Sequence, residues 1–302
     1  MGTRRSLSPV RYLLACLVGL AIGIGLDVVR DGGPALWLVR QGLAPAVGPP
    51  AYALEGRLVD VGGRRLYLDC RGGGSPVVVF EAGYGSDAAG WGTVFPEVAR
   101  LTRACAYDRA NRGRSDPRGR HATSEAADDL ARLLARAGER PPYVLVGHSL
   151  GGVYVRVFAD RHRPDVAGLV LVDPFLPEIV RRLIDATAGL PQADAWRAQL
   201  EQNIRLVEAG ERLDWAASET ELVRARTDGL PVEFVAPPFG PGPLPPDREA
   251  IVRRIWRDGL AAISSDLRVT EALDSGHLVH LDRPDLVVAA ISRLVDRARS
   301  EP

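Results

Sequence analysis

A serine on a sharp strand-to-helix turn is the feature that most constrains the fold of this chain. The apolar run 143–146 leads directly into Gly147-His148-Ser149-Leu150-Gly151, and an apolar helical pattern follows. A serine at such a turn is held above the sheet, where its hydroxyl can attack a carbonyl carbon. Glycines suit this turn because a side chain would collide with the neighbouring strand or helix. We therefore predict that Ser149 is a nucleophile; the alternative is a serine with a structural role in the turn.

Apolar strands alternate with helical segments along the rest of the chain. Strands are predicted at 76–80, 104–107, 143–146, 166–172, 232–235 and 267–272, and helices at 91–101, 124–137 and 284–299. Residues 58–61 and 66–68 flank Gly62-Gly63 and predict a hairpin. This alternation is typical of an α/β domain with a mostly parallel sheet covered by helices on both faces.

The segment 177–229 breaks this rhythm. It is polar and helical, so we predict an insertion over the top of the sheet, followed after the next strand by a proline-rich loop over 237–246. Prolines and glycines make 31–53 a linker. The predicted organisation is a signal or signal-anchor segment at 1–30, a linker at 31–53, and a domain at 54–302.

The N-terminus carries Arg4, Arg5 and Arg11 ahead of an uncharged run over 12–26. This run is shorter than the ~20 residues that span a bilayer, and it suits the apolar region of a signal sequence. A signal anchor, a cleaved signal and a buried helix are the alternatives. In the first two cases the protein is membrane-anchored or secreted, with its folded domain outside the cytoplasm.

Charge and motif content exclude several partners. Lys+Arg 38 balances Asp+Glu 38 and no basic stripe stands out, so we expect no nucleic acid partner. No His, Cys or Glu cluster in the sequence has metal-ligand spacing, and no glycine-rich phosphate loop follows the first strand. We expect a small-molecule substrate, with neither a cofactor nor a metal.

Four segments of the sequence carry a resemblance to a known family. They are 81–85 (EAGYG), 107–116 (YDRANRGRSD), the turn around Ser149, and 275–284 (SGHLVHLDRP). Over about residues 55–299 the chain resembles the α/β-hydrolase family. The resemblance implies the α/β-hydrolase fold, with a mostly parallel eight-stranded sheet, helices on both faces and a helical cap insertion. With its apolar N-terminal segment, the chain is similar to exported or membrane-anchored serine esterases.

A nucleophilic serine needs a base to take its proton. The chain has five histidines: His121, His148, His162, His277 and His280. His148 lies inside the turn with its ring expected to point away from Ser149, and His121 and His162 lie in charged stretches that we expect to be solvated. The resemblance places the base directly after Gly276, at His277; His280 is the alternative, more typical of a structural histidine.

A carboxylate should hydrogen-bond the far nitrogen of that base. The family's chain order places it between 150 and 276, most often directly after the strand that here ends at Val235. Prolines follow that strand instead. Some relatives place the acid one strand earlier, where Asp173 lies, so we predict Asp173, with Asp247 and Asp266 as alternatives. Asp173 could also be a polar residue that caps the next turn.

Acyl transfer also needs two backbone N–H groups that stabilise the developing oxyanion. The family pattern assigns these donors to Leu150, after the serine, and to Tyr84, after Gly83. Tyr84 and Trp91 could line the pocket, although Trp91 equally suits the core. The resemblance makes Asp108-Arg109 a pair that fixes a loop.

Two cysteines lie on strands that the resemblance makes neighbours. It therefore implies a disulfide between Cys70 and Cys105, provided that the domain is exported. The alternative is that both are small buried apolar residues.

The leading interpretation is a serine hydrolase that cleaves carboxylic esters through Ser149, His277 and Asp173. A serine nucleophile argues against dehalogenase and epoxide hydrolase chemistry, for which the family uses a carboxylate. Amide, thioester or carbon–carbon hydrolysis and acyl transfer are alternatives, as is a ligand-binding or regulatory protein with little turnover.

Overall fold

The computed structural model describes residues 53–238 and 244–301. In this part of the chain, eight strands form one sheet in the order β1-β2-β4-β3-β5-β6-β7-β8. The strands are β1 (Arg57–Asp60), β2 (Arg65–Arg71), β3 (Val77–Glu81), β4 (Ala104–Tyr107), β5 (Tyr143–His148), β6 (Val166–Val172), β7 (Val232–Ala236) and β8 (Leu267–Glu271). The β1–β2 and β2–β4 pairs are antiparallel and the other pairs are parallel. The predicted hairpin and mostly parallel sheet are confirmed.

Helices cover both faces of the sheet. They are α1 (Phe95–Leu101), α2 (Thr123–Ala137), α3 (Gly151–Arg161), α4 (Pro177–Ala186), α5 (Pro191–Glu211), α6 (Trp215–Arg224), α7 (Pro246–Ala261), α8 (Val279–Asp282) and α9 (Pro284–Ser300). Successive strand residues point to opposite faces: Leu145 of β5 shares one apolar cluster with Phe158 of α3, and Val146 shares the other with Ile291 of α9. The two clusters form the core on either side of the sheet.

Three local expectations were wrong. The helix predicted over 91–101 is a 3₁₀ turn at Ala88–Trp91 followed by α1, and Trp91 is a core residue with 1% exposure. Helix α7 was missed because prolines precede it, yet proline suits the first position of a helix. Asp247 lies in the first turn of α7. His121 is buried, since its backbone forms a bridge with Leu213 between α5 and α6.

The predicted insertion over 177–229 contains α4, α5 and α6. Among the described residues, no helix combines the length and apolar character required to cross a bilayer. The predicted signal or anchor segment at 1–30, and nearly all of the linker at 31–53, lie outside the described residues.

Candidate active site

Ser149 lies in the tight turn between β5 and α3, with a positive φ of 51°. Its backbone N–H donates to Val172 O at 3.1 Å, which ties the turn to the end of β6. A Cβ on Gly147 would lie 2.7 Å from Gly151 O, and one on Gly151 would lie 2.4 Å from Glu81 O. Any residue larger than glycine would therefore push the turn away from the sheet, as the sequence pattern predicts.

Asp173 and His277 contact each other at the carboxyl ends of the strands. Asp173 Oδ2 lies 2.7 Å from His277 Nδ1, and both side chains are buried. Asp173 directly follows β6, with a φ of 38° and its backbone N–H on Val235 O at 2.8 Å. The carboxylate thus lies at the end of β6 and not at the end of β7, where the family most often has it. This is the position that the sequence analysis preferred.

The two alternative carboxylates lie elsewhere. Asp247 is in the first turn of α7 with its side chain 74% exposed. Asp266 is exposed just before β8, and its Oδ2 accepts a hydrogen bond from Arg297 Nη1 at 2.6 Å. Of the three candidate carboxylates, Asp173 is therefore the one that contacts His277; Asp247 and Asp266 do not.

Two further histidines pack beside His277. The ring centroid of His148 lies 4.7 Å from that of His277 and 4.4 Å from that of His280, and His148 Nε2 lies 3.0 Å from His277 O. Burial, together with His280 and His277, lowers the pKa of His148 well below its ordinary value. Burial and the nearby His277 lower the pKa of His280 to about 3. Both rings are therefore neutral at pH 7 and place no positive charge beside His277.

The sequence predicts the backbone N–H groups of Tyr84 and Leu150 as oxyanion donors. Both residues line one cavity together with Ser149. In the described part of the chain, neither N–H donates a hydrogen bond, although backbone donors away from water are nearly always paired. Two unpaired donors on residues that share a cavity with a serine suit a ligand that carries an acceptor oxygen.

The cavity at Ser149 is small and apolar. Its remaining walls are Phe175 after β6 and three residues of α5, namely Asn203, Leu206 and Val207. Its volume of about 20 Å³ leaves room for roughly one water molecule. The sequence identified Tyr84 in this wall but not the residues of α5, because nothing in the polar pattern of 177–229 marks which turn faces the serine.

A group of buried charges lies beneath the loop that carries Tyr84. Arg109 Nη1 lies 2.5 Å from Glu81 Oε1, and Arg109 Nη2 lies 3.0 Å from Glu211 Oε1 of α5. Burial opposes the charge on Arg109, but Glu211 and Glu81 raise its pKa well above the ordinary value. The neighbouring Asp108 accepts backbone N–H groups of Ala88 and Arg114, each at 2.8 Å, as a loop-fixing residue should. The sequence did not identify Glu81 or Glu211.

Cys70 and Cys105 form a disulfide between β2 and β4, so the implied pairing is confirmed. The side chain of Glu139 lies near both sulfurs, and this trio is the candidate for a metal-binding cluster among the described residues. All three already have partners: the two sulfurs are bonded to each other, and Glu139 Oε1 accepts a hydrogen bond from Arg103 Nη2 at 2.6 Å.

Known proteins of similar sequence match this chain only in part. A probable transporter of Hormonema carpetanum, efuK, is 37% identical over 125 residues, which are 38% of this chain and 18% of that protein. The chain spans less than half the length of the first curated relatives that it matches.

Solved structures match nearly the whole described domain. Cfl2 of Burkholderia cenocepacia has a TM-score of 0.59 at 21% identity, over 82% of this chain and 98% of that chain. A malate-bound thermophilic esterase of Thermogutta terrifontis has a TM-score of 0.53 at 20% identity, over 82% of this chain and all of that chain. At these identities the likeness concerns the fold.

A family model extends the match to the sequence. The model of the alpha/beta hydrolase family matches residues 78–290, from β3 into α9. This range includes the turn at Ser149, the Asp173–His277 pair and the helices over 177–229. The chain belongs to the alpha/beta hydrolase family.

Proposed function

We propose that the protein is a serine hydrolase that cleaves carboxylic esters through Ser149, His277 and Asp173. The observation that carries this proposal is the 2.7 Å contact between Asp173 Oδ2 and His277 Nδ1. It supports a His277 ring whose Nδ1–H is held by a carboxylate, which leaves Nε2 as the basic atom. The unpaired N–H groups of Tyr84 and Leu150 beside Ser149 support the same chemistry.

In the proposed reaction, His277 Nε2 takes the proton of Ser149 Oγ as the oxygen attacks the ester carbonyl carbon. The carbonyl oxygen becomes an oxyanion that accepts hydrogen bonds from the N–H groups of Tyr84 and Leu150. The intermediate collapses, the bond to the alcohol oxygen breaks, and His277 gives its proton to that oxygen. Water then attacks the acyl-enzyme with His277 again as the base, and the acid leaves while Ser149 regains its proton.

The cavity supports esters with a short acyl chain. Its walls are apolar apart from Asn203 and the serine, and its volume is about 20 Å³. An acyl group requires wall side chains such as Leu206 and Val207 to move aside, and a chain of two to four carbons requires the smallest movement. We therefore propose acetyl to butyryl esters as the preferred substrates.

We also propose that the domain works outside the cytoplasm, either anchored to the membrane or secreted. The Cys70–Cys105 disulfide supports this location, since disulfides persist chiefly in oxidising compartments. Fractionation of cells that express the full chain tests it, with accessibility of the domain to added protease as the measurement. A domain that stays with the cytoplasmic fraction, and becomes accessible to protease only when the cytoplasmic membrane is broken, would contradict the proposal.

The activity is tested by p-nitrophenyl esters from acetate to octanoate. We expect the full chain to hydrolyse the short esters fastest, and Ser149→Ala and His277→Ala to lose about 10⁴-fold or more in kcat. A folded wild-type protein without turnover, or variants that keep it, would contradict the proposed function. An optimum at octanoate would contradict only the short acyl pocket.

A further inference from the structure

Arg109 lies under the loop between β3 and the 3₁₀ turn, with a side chain only 4% exposed. Its guanidinium contacts two successive backbone carbonyl groups of that loop. Nη1 donates to Ala82 O at 2.5 Å, and Nη2 donates to Gly83 O at 3.1 Å. A single side chain therefore holds the two peptide units that precede and include the Tyr84 N–H.

This contact fixes the direction of the Tyr84 N–H. The peptide bond between Gly83 and Tyr84 is planar, so in the trans form its C=O and N–H point in opposite directions. Because Arg109 holds Gly83 O on the buried side, the Tyr84 N–H points away from Arg109. Rotation of this peptide would turn a carbonyl oxygen toward the oxyanion and would break the bond to Arg109.

Glu211, the last residue of α5, joins the insertion over 177–229, the cap, to the same loop. Its side chain is 1% exposed, and Oε1 accepts from Arg109 Nη2 at 3.0 Å and from Arg112 Nε at 2.9 Å. The Gly85 N–H lies 3.4 Å from the same oxygen. The helix that supplies three walls of the cavity thus ends on the loop that supplies an oxyanion donor.

The charges around Arg109 balance one another. Glu81 and Glu211 supply two carboxylates, and Arg109 and Arg112 supply two guanidinium groups. Removal of one carboxylate leaves a buried cation without its partner, which destabilises its surroundings far more than the loss of an exposed pair. Without Glu211 at the end of α5, Arg109 keeps Glu81 on Nη1, but Nη2, the atom that donates to Gly83 O, loses its carboxylate partner.

We infer that Arg109 and Glu211 are positioning residues that hold the Tyr84 N–H in the oxyanion site and make its placement depend on closure of α5. The inference rests on the proposed function, because it concerns the oxyanion of that reaction. Neither side chain touches the substrate. Displacement of α5 would release Glu211, and the oxyanion site would be complete only with the cap closed over the bound ester.

The test compares Glu211→Gln with Glu233→Gln in the full chain. Glu233 of β7 is a matched control: its side chain is 6% exposed and accepts two hydrogen bonds from Arg293, at 2.8 Å and 2.6 Å. The readouts are kcat and KM for p-nitrophenyl acetate, the Ki of a trifluoromethyl ketone, and Tm. The ketone's adduct with Ser149 carries an oxyanion, so its Ki reports on the oxyanion site.

We expect Glu211→Gln to lower kcat at least about tenfold, because loss of an oxyanion donor lowers it about 10²–10³-fold. KM should stay within about threefold, and the Ki of the ketone should rise by the factor by which kcat/KM falls. Glu211→Asp should recover part of kcat. Glu233→Gln should lower Tm to a similar extent while kcat stays within about twofold of wild type.

A folded Glu211→Gln protein with wild-type kcat and Ki would overturn the inference. So would an equal loss of kcat in Glu233→Gln, which would mark the effect as general destabilisation. Arg109→Lys is the second variant, expected to act like Glu211→Gln; if it does not fold, Glu211→Gln decides. A wild-type protein without Ser149-dependent turnover would instead overturn the proposed function, and this inference with it.

Discussion

Asp173 and His277 are 104 positions apart in the chain, yet Asp173 Oδ2 lies 2.7 Å from His277 Nδ1. The sheet order explains this contact. Asp173 follows β6, His277 follows β8, and β7 lies between them, so the loops after β6 and β8 meet above the proline-rich end of β7. The carboxylate reaches the histidine across a strand whose carboxyl end, Ala236 followed by two prolines, carries no acid.

Replacing Asp173 with asparagine should lower kcat for p-nitrophenyl acetate by about 10²–10⁴-fold, because the amide cannot stabilise the imidazolium of His277. The control is Asp247→Asn, whose side chain is 74% exposed and which should stay within about twofold of wild type. Initial rates at saturating substrate measure both. Similar losses in the two variants, or none in Asp173→Asn, would rule out Asp173 as the acid.

Gly83→Ala should lower kcat/KM with little change in folding. A Cβ there would lie 2.8 Å from His148 Nδ1 and 3.3 Å from Ser149 Cβ, so the loop that carries the Tyr84 N–H must move. We expect a loss of about tenfold or more. A Cβ on Gly73 would meet nothing within 4 Å, so Gly73→Ala is the control; equal activity in the two variants would contradict the predicted crowding.

Stability should fall with acidification in a way that depends on His280. Its pKa is lowered to about 3 in the folded protein by burial and by the neighbouring His277, whereas an unfolded histidine has a pKa of about 6.5. Below pH 6.5 the unfolded chain binds a proton that the folded chain does not, so the unfolding free energy is full above pH 6.5 and decreases as pH falls toward 3.

Between pH 7.5 and pH 5, this group alone should remove about 2 kcal/mol from the unfolding free energy. Urea unfolding of wild type and His280→Asn at the two pH values measures the difference. The variant should lose about 2 kcal/mol less than wild type over this range. Parallel pH dependence in both proteins would show that His280 binds protons equally in the folded and unfolded chains.

The disulfide predicts both a thiol count and a stability change. The chain has three cysteines, so the denatured, unreduced full chain should show one titratable thiol, from Cys16, and three after reduction. Three without reduction would contradict the pairing. The disulfide spans 35 positions, so Cys70→Ala with Cys105→Ala should lower the unfolding free energy by about 4 kcal/mol, measured by urea unfolding at neutral pH.

The sequence predicted what depends on local pattern. The turn at Ser149 follows from an apolar strand, two glycines and an apolar helix. His277 and His280 both follow the last strand, and the family resemblance of 275–284 favours His277. The acid was less determined, because Asp173, Asp247 and Asp266 all satisfy the chain order. Only the packing of the loops after β6 and β8 separates them.

Long-range burial explains what the sequence could not predict. Glu211 is 126 positions from Gly85 and lies in a polar helix. In such a helix the sequence does not distinguish a glutamate that is buried by a distant loop from one that is solvated. The expectation that His121 is solvated was wrong for the same reason. Arg118 and Arg120 nearby suggested a solvated stretch, whereas the chain between α5 and α6 packs against the histidine. Charged neighbours in sequence indicate exposure only where no distant element packs over them.

The most direct test of the central claim is detection of an acyl group on Ser149. Wild type and Ser149→Ala would be mixed with p-nitrophenyl acetate, quenched in acid within one turnover, digested and analysed by mass spectrometry. We expect a mass increase of one acetyl group on Ser149 in the wild type, without any adduct in the variant, and turnover in the wild type alone. Hydrolysis that continues in Ser149→Ala, or an acyl group on another residue at wild-type rates, would contradict the account.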